Sequence, residues 1–149
     1  MTLHDELMAV TQALDTDAIP YALVGGLAVA VWGAPRATKD IDLLVQPADV
    51  ERAKTAIGRC GFTLPAEPME FSDGMVVHRV SKVRDGALMT VDLLLVNENL
   101  RRHFETREAR FVEEARLWVI GRAGLIAMKI SAGRPQDQAD VIRLTELDR

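Results

Sequence analysis

Three aspartates lie in or beside apolar runs of this sequence, where a carboxylate is unusual. Asp40 and Asp42 flank Ile41 at the start of the run DIDLLV. Side chains alternate between the two faces of a strand, so Asp40 and Asp42 would share a face, with backbones about 6.6 Å apart. Two carboxylates at this spacing can converge on one cation or straddle a pair of cations. Their hard oxygens suit Mg²⁺ or Mn²⁺, which predicts metal-assisted phosphoryl chemistry.

Asp92 is the most unusual of the three, because it lies inside the run LMTVDLLLV. A buried carboxylate is costly unless it is paired or bound to a metal. If its strand lies beside residues 40–45, all three carboxylates can reach one point. Simpler explanations remain for each part: a D-x-D pattern is common at turns and helix caps, and Asp92 could pair with an arginine. The conjunction favours Asp40, Asp42 and Asp92 as catalytic and metal-binding residues.

A Gly-Gly pair separates an apolar strand from a short helix upstream of these acids. Gly25 and Gly26 would let backbone N–H groups approach an anion closely, and the start of the following helix adds partial positive charge. The sequence contains neither the G-x-G-x-x-G dinucleotide motif nor the G-x-x-x-x-G-K-[ST] phosphate loop. The position of the pair relative to the aspartates is what predicts phosphate binding here.

The hydrophobic periodicity predicts helices interleaved with strands, including one hairpin, and therefore an α/β (α+β) fold with a mixed sheet flanked by helices. Gly and Pro residues mark most of the boundaries. The predicted elements are a helix over 3–16, a strand over 21–24, a buried helix over 27–32, a strand over 40–45, a helix over 50–60, a hairpin of strands 75–83 and 87–96, a strand over 116–120, and a C-terminal helical pair over 123–132 and 135–147.

Length and composition favour one soluble domain over residues 1–149. The chain has 149 residues, 48% hydrophobic and 27% charged, and we find no repeat or linker in it. Its one cysteine, Cys60, allows no internal disulfide, and the N-terminus does not resemble a signal peptide, so we expect a cytoplasmic protein. The uncharged stretch 18–35 is interrupted by glycines and prolines, which argues against a membrane span. The net charge of −4 gives no general attraction to nucleic acid.

Two strings of this sequence carry a family resemblance. VGG, a spacer of thirteen residues and DIDL together resemble the signature of the nucleotidyltransferase (polymerase-beta-like) superfamily, with Asp92 placed as its third acid. The longer string GGLAVAVWGAPRATKDIDLLV and the C-terminal string LIAMKISAGRPQDQADVIRL are similar to small bacterial nucleotidyltransferases of the AbiEii type. Several of those are toxins of toxin–antitoxin systems. The resemblance implies a nucleotidyltransferase fold over about three-quarters of the chain.

The resemblance also implies an activity: transfer of a nucleoside monophosphate from an NTP to an acceptor hydroxyl, with release of pyrophosphate. Asp40 and Asp42 would bind the metal that bridges the triphosphate, and Asp92 would complete a second metal position and help deprotonate the acceptor. Arg36 and Lys129 have simpler explanations too, as a salt-bridge partner and a lysine reaching solvent. The residues expected to bind nucleotide are Gly25, Gly26, Arg36, Thr38 and Lys129.

The acceptor and the partners stay open at this stage. The acceptor could be RNA such as tRNA, a protein or a small molecule, and the chain could act as a monomer, as a homodimer or with a toxin or antitoxin partner. One alternative is an antitoxin-like enzyme that nucleotidylates a partner protein. Another is a nucleotide-binding or protein-interaction module without turnover. For Arg134, Asp137 and Asp140 we predict an internal ion-pair network or helix capping rather than catalysis.

Overall fold

The computed structural model of the chain describes residues 2–34 and 38–147. The helices are α1 (Leu3–Thr16), α2 (Gly25–Val31), α3 (Val50–Gly58), α4 (Arg101–Glu105), α5 (Arg122–Ala132) and α6 (Pro135–Glu146). A 3₁₀ turn, Pro47–Asp49, leads directly into α3. The strands are β1 (Tyr21–Val24), β2 (Ile41–Val45), β3 (Leu64–Pro65), β4 (Met69–Glu70), β5 (Val76–Arg84), β6 (Ala87–Leu95), β7 (Glu108–Val112) and β8 (Ala115–Val119).

The strands form one mixed sheet in the order β3-β5-β6-β2-β1-β8-β7, with β4 also paired to β5. The β2–β6 and β1–β8 pairs are parallel, whereas β1–β2, β5–β6 and β7–β8 are antiparallel. Strands β1 and β2 lie at the centre, and nearly every residue in them is buried. Apart from Asp42, their residues are apolar, which is typical of strands that are covered on both faces. The predicted mixed sheet flanked by helices is therefore confirmed.

Helices cover both faces of the sheet. Helix α1 lies on one face, where its buried Glu6 forms an ion pair with Lys82 of β5. The helix begins with a capping box, in which Thr2 and Asp5 exchange hydrogen bonds between side chain and backbone. Arg79 is three residues from Lys82 on the same strand, so its side chain points to the opposite face. Helices α5 and α6 pack against each other, and residues at their junction act electrostatically on Asp42 across that opposite face.

Most of the predicted elements are confirmed, with boundaries that move by a few residues. The hairpin of β5 and β6, the first helix and the C-terminal helical pair all form where the periodicity placed them. The Gly-Gly pair differs, because Gly25 and Gly26 are the first residues of α2 rather than a turn before it. Helix α4 and strand β7 were not predicted. Helix α4 is too short to show a period, and the side chains of β7 at the sheet edge are exposed or only partly buried.

Among the helices of the described segments, none has the length and the apolar character needed to cross a membrane. The uncharged stretch that could have suggested a span is divided between β1 and α2.

Candidate active site

The candidate site forms where β2 and β6 lie side by side. In this parallel pair Asp42 is the register partner of Asp92, so both side chains point to the same face of the sheet. Asp40 immediately precedes β2 and accepts a hydrogen bond of 2.7 Å from the Thr90 hydroxyl. Thr90 and Asp92 are two residues apart on one strand and therefore share a face. The condition for bringing the acids together, that their strands are neighbours, is met, and all three carboxylates face the same side.

Asp42 is the most strongly perturbed carboxylate at this site. Burial raises its pKa to about 7, and the charges of Asp92 and then Asp40 add to the increase. The positive charges of Lys129 and Arg134 act in the opposite direction without restoring the ordinary value. Half-buried Asp42 thus lies in an electrostatic environment with excess negative charge, which is the environment that a bound cation would relieve.

Gly25 is required by the position of Asp42. Its φ of +71° lies in the left-handed region, and a Cβ at this position would be 2.2 Å from Asp42 Oδ2. The register of β1 with β2 explains the closeness, because Val24 pairs with Asp42 and Gly25 follows directly. Only glycine combines this conformation with the absence of a side chain. The start of α2 and the carboxylate of Asp42 are therefore in direct contact, as the predicted combination of Gly-Gly pair and acids requires.

Two further polar residues complete the acid face, and neither was among the predicted site residues. Arg79 of β5 donates from Nε to Asp92 Oδ1 at 2.8 Å and from Nη2 to Oδ2 at 3.0 Å. The arginine partner considered for Asp92 is thus present. The hairpin could have revealed this partner. A two-residue turn at Asp85-Gly86 pairs Arg84 with Ala87, and counting five residues away from the turn along both strands pairs Arg79 with Asp92. Thr90, the one polar near neighbour of Asp92, could have been found from its shared face.

The acid cluster, which we define as Asp40, Asp42 and Asp92, suits a divalent cation in part. Among the described residues, no group of three or more His, Cys, Asp or Glu side chains is arranged to hold a metal ion. Both carboxylate oxygens of Asp92 accept hydrogen bonds from Arg79, so Asp92 is directed toward that arginine. Asp40 and Asp42 offer hard oxygen donors, and the pKa of Asp42 is raised by burial and then by the negative charges of Asp92 and Asp40. These two residues fit a cation of the Mg²⁺ class.

A second charged group lies on the α5–α6 side, and we call it the α5–α6 ion cluster: Lys129, Arg134, Asp137 and Asp140. Lys129 Nζ lies 3.2 Å from Asp137 Oδ1 and 3.1 Å from Asp140 Oδ2. Arg134 Nε donates to Asp137 Oδ2 at 2.6 Å. The predicted internal network is confirmed, and it also includes Lys129. That lysine is buried in these ion pairs instead of facing an open cleft.

The remaining predicted nucleotide contacts are in the segment that leads to the acids. Thr38 is half-buried and lies two residues before Asp40. Arg36 lies outside the described residues.

Comparison with known proteins adds an identity to this geometry. A family model described as "Nucleotidyltransferase of unknown function (DUF6036)" matches residues 1–147. The chain belongs to this family. It is therefore a nucleotidyltransferase, which agrees with the resemblance carried by the Gly-Gly pair and the acid motif. Among curated protein sequences, no significant match was found.

Solved structures show the same fold at low sequence identity. A Thermotoga maritima protein assigned as a nucleotidyltransferase is 15% identical, with 98% of this chain and 93% of that one covered and a TM-score of 0.65. The lincosamide antibiotic adenylyltransferase LnuA, bound to lincomycin, is 12% identical over 96% of each chain, with a TM-score of 0.68. The antibiotic-resistance factor ANT(2'')-Ia, in complex with adenylyl-2''-tobramycin, is 14% identical over 97% of this chain and 87% of that one, with a TM-score of 0.64. The nucleotidyltransferase fold is thereby established.

Proposed function

We propose that the acid cluster catalyses transfer of a nucleoside monophosphate from an NTP to an acceptor hydroxyl. The observation that carries this proposal is the register pairing of Asp42 with Asp92, on the face where Gly25 begins α2. Two strands and a helix start, distant in sequence, bring carboxylates and backbone N–H groups to one place. Metal-assisted phosphoryl transfer needs this combination, because positioning and charge neutralisation supply most of its catalysis.

The proposed cation is Mg²⁺, with Mn²⁺ as a substitute, and Asp40 and Asp42 would bind it. Asp92 would complete a second metal position once Arg79 releases its hydrogen bond to one of the two Asp92 carboxylate oxygens. A bound divalent cation neutralises charge on the triphosphate and favours ionisation of the acceptor hydroxyl. The support for this assignment is the excess negative charge around Asp42, whose pKa of about 7 results from burial and from its two acidic neighbours.

The other side chains of the site would position the nucleotide. Backbone N–H groups of Gly25 and Gly26 would donate to phosphate oxygens at the start of α2. Arg36 and Thr38 would reach the triphosphate from the segment before Asp40. Lys129 would contribute positive charge from behind the site, since its ammonium group already lowers the pKa of Asp42 from within its ion pairs.

In the proposed reaction the acceptor oxygen attacks the α-phosphorus of the NTP. A new P–O bond forms, the bond from the α-phosphorus to the bridging oxygen breaks, and pyrophosphate leaves with the electron pair. The proton of the acceptor hydroxyl passes to the Asp92 carboxylate. For this step one Asp92 oxygen must be free of its hydrogen bond to Arg79, so movement of Arg79 accompanies the reaction.

The acceptor is proposed by its chemistry, as a hydroxyl group on a small molecule, an RNA such as tRNA, or a protein. LnuA, a lincosamide antibiotic adenylyltransferase, was solved with lincomycin, and ANT(2'')-Ia was solved with adenylyl-2''-tobramycin, so the ligands of these two proteins of the same fold support a small-molecule acceptor. The resemblance to AbiEii-type enzymes supports the other two acceptors, and with them a toxin–antitoxin role with a partner protein. We further propose that residues 1–149 form one cytoplasmic domain, acting as a monomer or homodimer.

A second candidate function is nucleotide binding without turnover, in a module that interacts with a partner protein. The bidentate pairing of Arg79 with Asp92 favours it, because a carboxylate held in this way is a weaker base and metal ligand. A related alternative also involves a partner protein but keeps catalysis: an antitoxin-like enzyme that nucleotidylates its partner.

The test uses each of the four NTPs labelled at the α-phosphate, with Mg²⁺ and a cell extract, followed by separation of RNA, protein and small molecules. We expect label from the wild type in one fraction and about a thousandfold less from Asp42→Asn. Asp49→Asn is the matched control, since Asp49 pairs with Arg52 at 2.9 Å on the surface of the 3₁₀ turn. Equal labelling by wild type and Asp42→Asn would contradict the assignment. Tight NTP binding without label in any fraction would support the binding module instead.

A further inference from the structure

The arginine on the acid face is the one strong cation there that pairs directly with a member of the acid cluster among the described residues. Arg79 meets Asp92 through a planar fork, with one N–H on each carboxylate oxygen at 2.8 and 3.0 Å. Bidentate arginine–carboxylate pairs are stronger and more directional than single hydrogen bonds. The sheet fixes the position of this pair, because Arg79 and Asp92 are register partners in β5 and β6.

The two members of this pair differ in their freedom to move. The Asp92 side chain is 12% exposed, whereas that of Arg79 is 40% exposed. The carboxylate is therefore confined to the face of the sheet, and the guanidinium can swing toward solvent with little change in packing. A guanidinium group is protonated at any ordinary pH, so Arg79 keeps its positive charge beside the acids.

We infer that Arg79 is a built-in competitor for the divalent cation, occupying both oxygens of Asp92 and swinging away when the metal and its nucleotide bind. Arg79 would thus be a positioning residue that sets metal affinity, and it would keep the acid face partly neutralised in the metal-free protein. This inference rests on the proposed function, in which the acid cluster is the metal site.

The competition has a direct physical basis. The guanidinium group occupies both oxygens through which Asp92 would bind a metal. Because one of its nitrogens is 2.8 Å from an Asp92 oxygen, its positive charge would be several ångströms from a cation bound to that carboxylate. A repulsion between a unit and a divalent charge at that separation weakens binding by about tenfold even at the dielectric constant of water. Removing the charge should therefore tighten metal binding, although the residue removed contacts no metal.

The experiment measures Mn²⁺ binding to the purified chain without nucleotide, from the loss of the free-ion signal in electron paramagnetic resonance. We expect Arg79→Gln to bind Mn²⁺ about tenfold more tightly than wild type, with Arg79→Lys in between, because lysine keeps the charge but loses the fork. Arg59→Gln is the matched control, since Arg59 pairs with Asp17 at 2.9 Å on the surface near the end of α3. Its affinity should equal that of wild type.

Unchanged or weaker Mn²⁺ binding by Arg79→Gln would overturn the inference. If that variant does not fold, Arg79→Lys decides the question alone: tighter binding than wild type supports competition, and equal or weaker binding contradicts it. Asp42→Asn separates this inference from the function on which it rests. Loss of Mn²⁺ binding in Asp42→Asn places the metal at the acid cluster whatever Arg79 does, whereas retained binding would contradict the proposed function itself.

Discussion

The acid cluster and the α5–α6 ion cluster place the same residue type in two opposite electrostatic situations. Burial raises the pKa of Asp42 to about 7, and the acids around it add to that shift. Burial also tends to raise the pKa of Asp137, but hydrogen bonds from Arg134 and Lys129 outweigh it and leave that pKa below its ordinary value. One aspartate lacks sufficient compensation, and the other is fully neutralised by its neighbours.

This difference agrees with our proposal that Asp42 binds a ligand, whereas Asp137 supports the fold. The α5–α6 ion cluster combines two cations with two anions, so its charges satisfy one another. The acid cluster combines three carboxylates with Arg79, which leaves net negative charge on the face beside α2. Carboxylates crowded in this way are typical of functional sites, and the proposed binding of a cation with a triphosphate would relieve their repulsion.

The largest expected effect is on turnover, from Asp42→Asn. This change removes a proposed metal ligand while keeping the shape of the side chain, so we expect a loss of about a thousandfold in kcat/KM. The folded protein should be at least as stable as wild type above pH 7, because an uncompensated charge is removed. Kinetics and thermal denaturation measure the two effects. Joint loss of activity and stability would show that Asp42 is a structural residue like Asp137.

The largest expected effect on stability comes from the other cluster, through Asp137→Asn. Removing one partner from a buried ion-pair network costs about 3 kcal/mol or more, since the remaining charges stay buried. Asp137 is fully buried and pairs with both Lys129 and Arg134. Urea denaturation should show this cost. A variant as stable as wild type would contradict the view that these charges neutralise one another.

Gly25→Ala tests the contact between the two halves of the proposed site. The new Cβ meets Asp42 Oδ2 and must also adopt a φ of +71°, so we expect a cost of about 2 kcal/mol and a displaced carboxylate with lower activity. Gly86→Ala is the matched control, because Gly86 has a φ of +78° but open space around it. Its cost should be about 1 kcal/mol, with activity unchanged. Equal behaviour of the two variants would remove the special role of Gly25.

The pH dependence of stability should differ in sign between the clusters. Asp42 binds its proton more tightly in the folded state, so its contribution to stability is present at acidic pH and is lost as pH rises from near 3.8 to about 7. The lowered pKa of Asp137 acts in the opposite direction, and its contribution is lost as pH falls below the ordinary value. The melting temperature of Asp42→Asn should exceed that of wild type above about pH 7, and the difference should shrink toward pH 4. A difference independent of pH would contradict this assignment.

The smallest expected effect comes from Thr90→Val, which removes the 2.7 Å hydrogen bond to Asp40 and keeps the side-chain shape. Asp40 then loses one restraint on its orientation, and we expect about a fivefold decrease in kcat/KM together with a higher Mg²⁺ requirement. Thr55→Val is the control, because the Thr55 hydroxyl donates only to the backbone of Glu51 on the surface of α3. No change in the Mg²⁺ requirement would place Thr90 outside the site.

Much of this arrangement could be predicted from the sequence, because its signals are local or strictly periodic. Strand alternation indicated that Asp40 and Asp42 share a face, and the apolar run around Asp92 indicated a buried strand whose charge needs a partner. That β2 and β6 are adjacent in the sheet could only be assumed from the sequence, since no local pattern specifies which strands pair. The family resemblance implied the fold, and the structure supplied the pairing.

What could not be predicted depends on long-range partners. Lys129 was expected to meet the nucleotide, but its ammonium group pairs with Asp137 and Asp140 from the next helix, a choice decided by helix packing. The Gly-Gly pair was expected as a turn, whereas α2 begins at Gly25. The approach of Asp42 to Gly25, which leaves no room for a side chain there, is a long-range contact that no local pattern reveals. The position of Arg79 opposite Asp92 follows from the hairpin register, but that register depends on the number of residues in the turn, which the sequence pattern did not fix.

The most direct test of the central claim follows both ends of one NTP, labelled at the α- or the γ-phosphate, in the presence of Mg²⁺ and the acceptor fraction. The account predicts that the α-label moves to the acceptor while the γ-label leaves as pyrophosphate, and that both fall together in Asp42→Asn but not in Asp49→Asn. Release of the γ-label as orthophosphate, or equal transfer by wild type and Asp42→Asn, would contradict the assignment of the acid cluster as a nucleotidyl-transfer site.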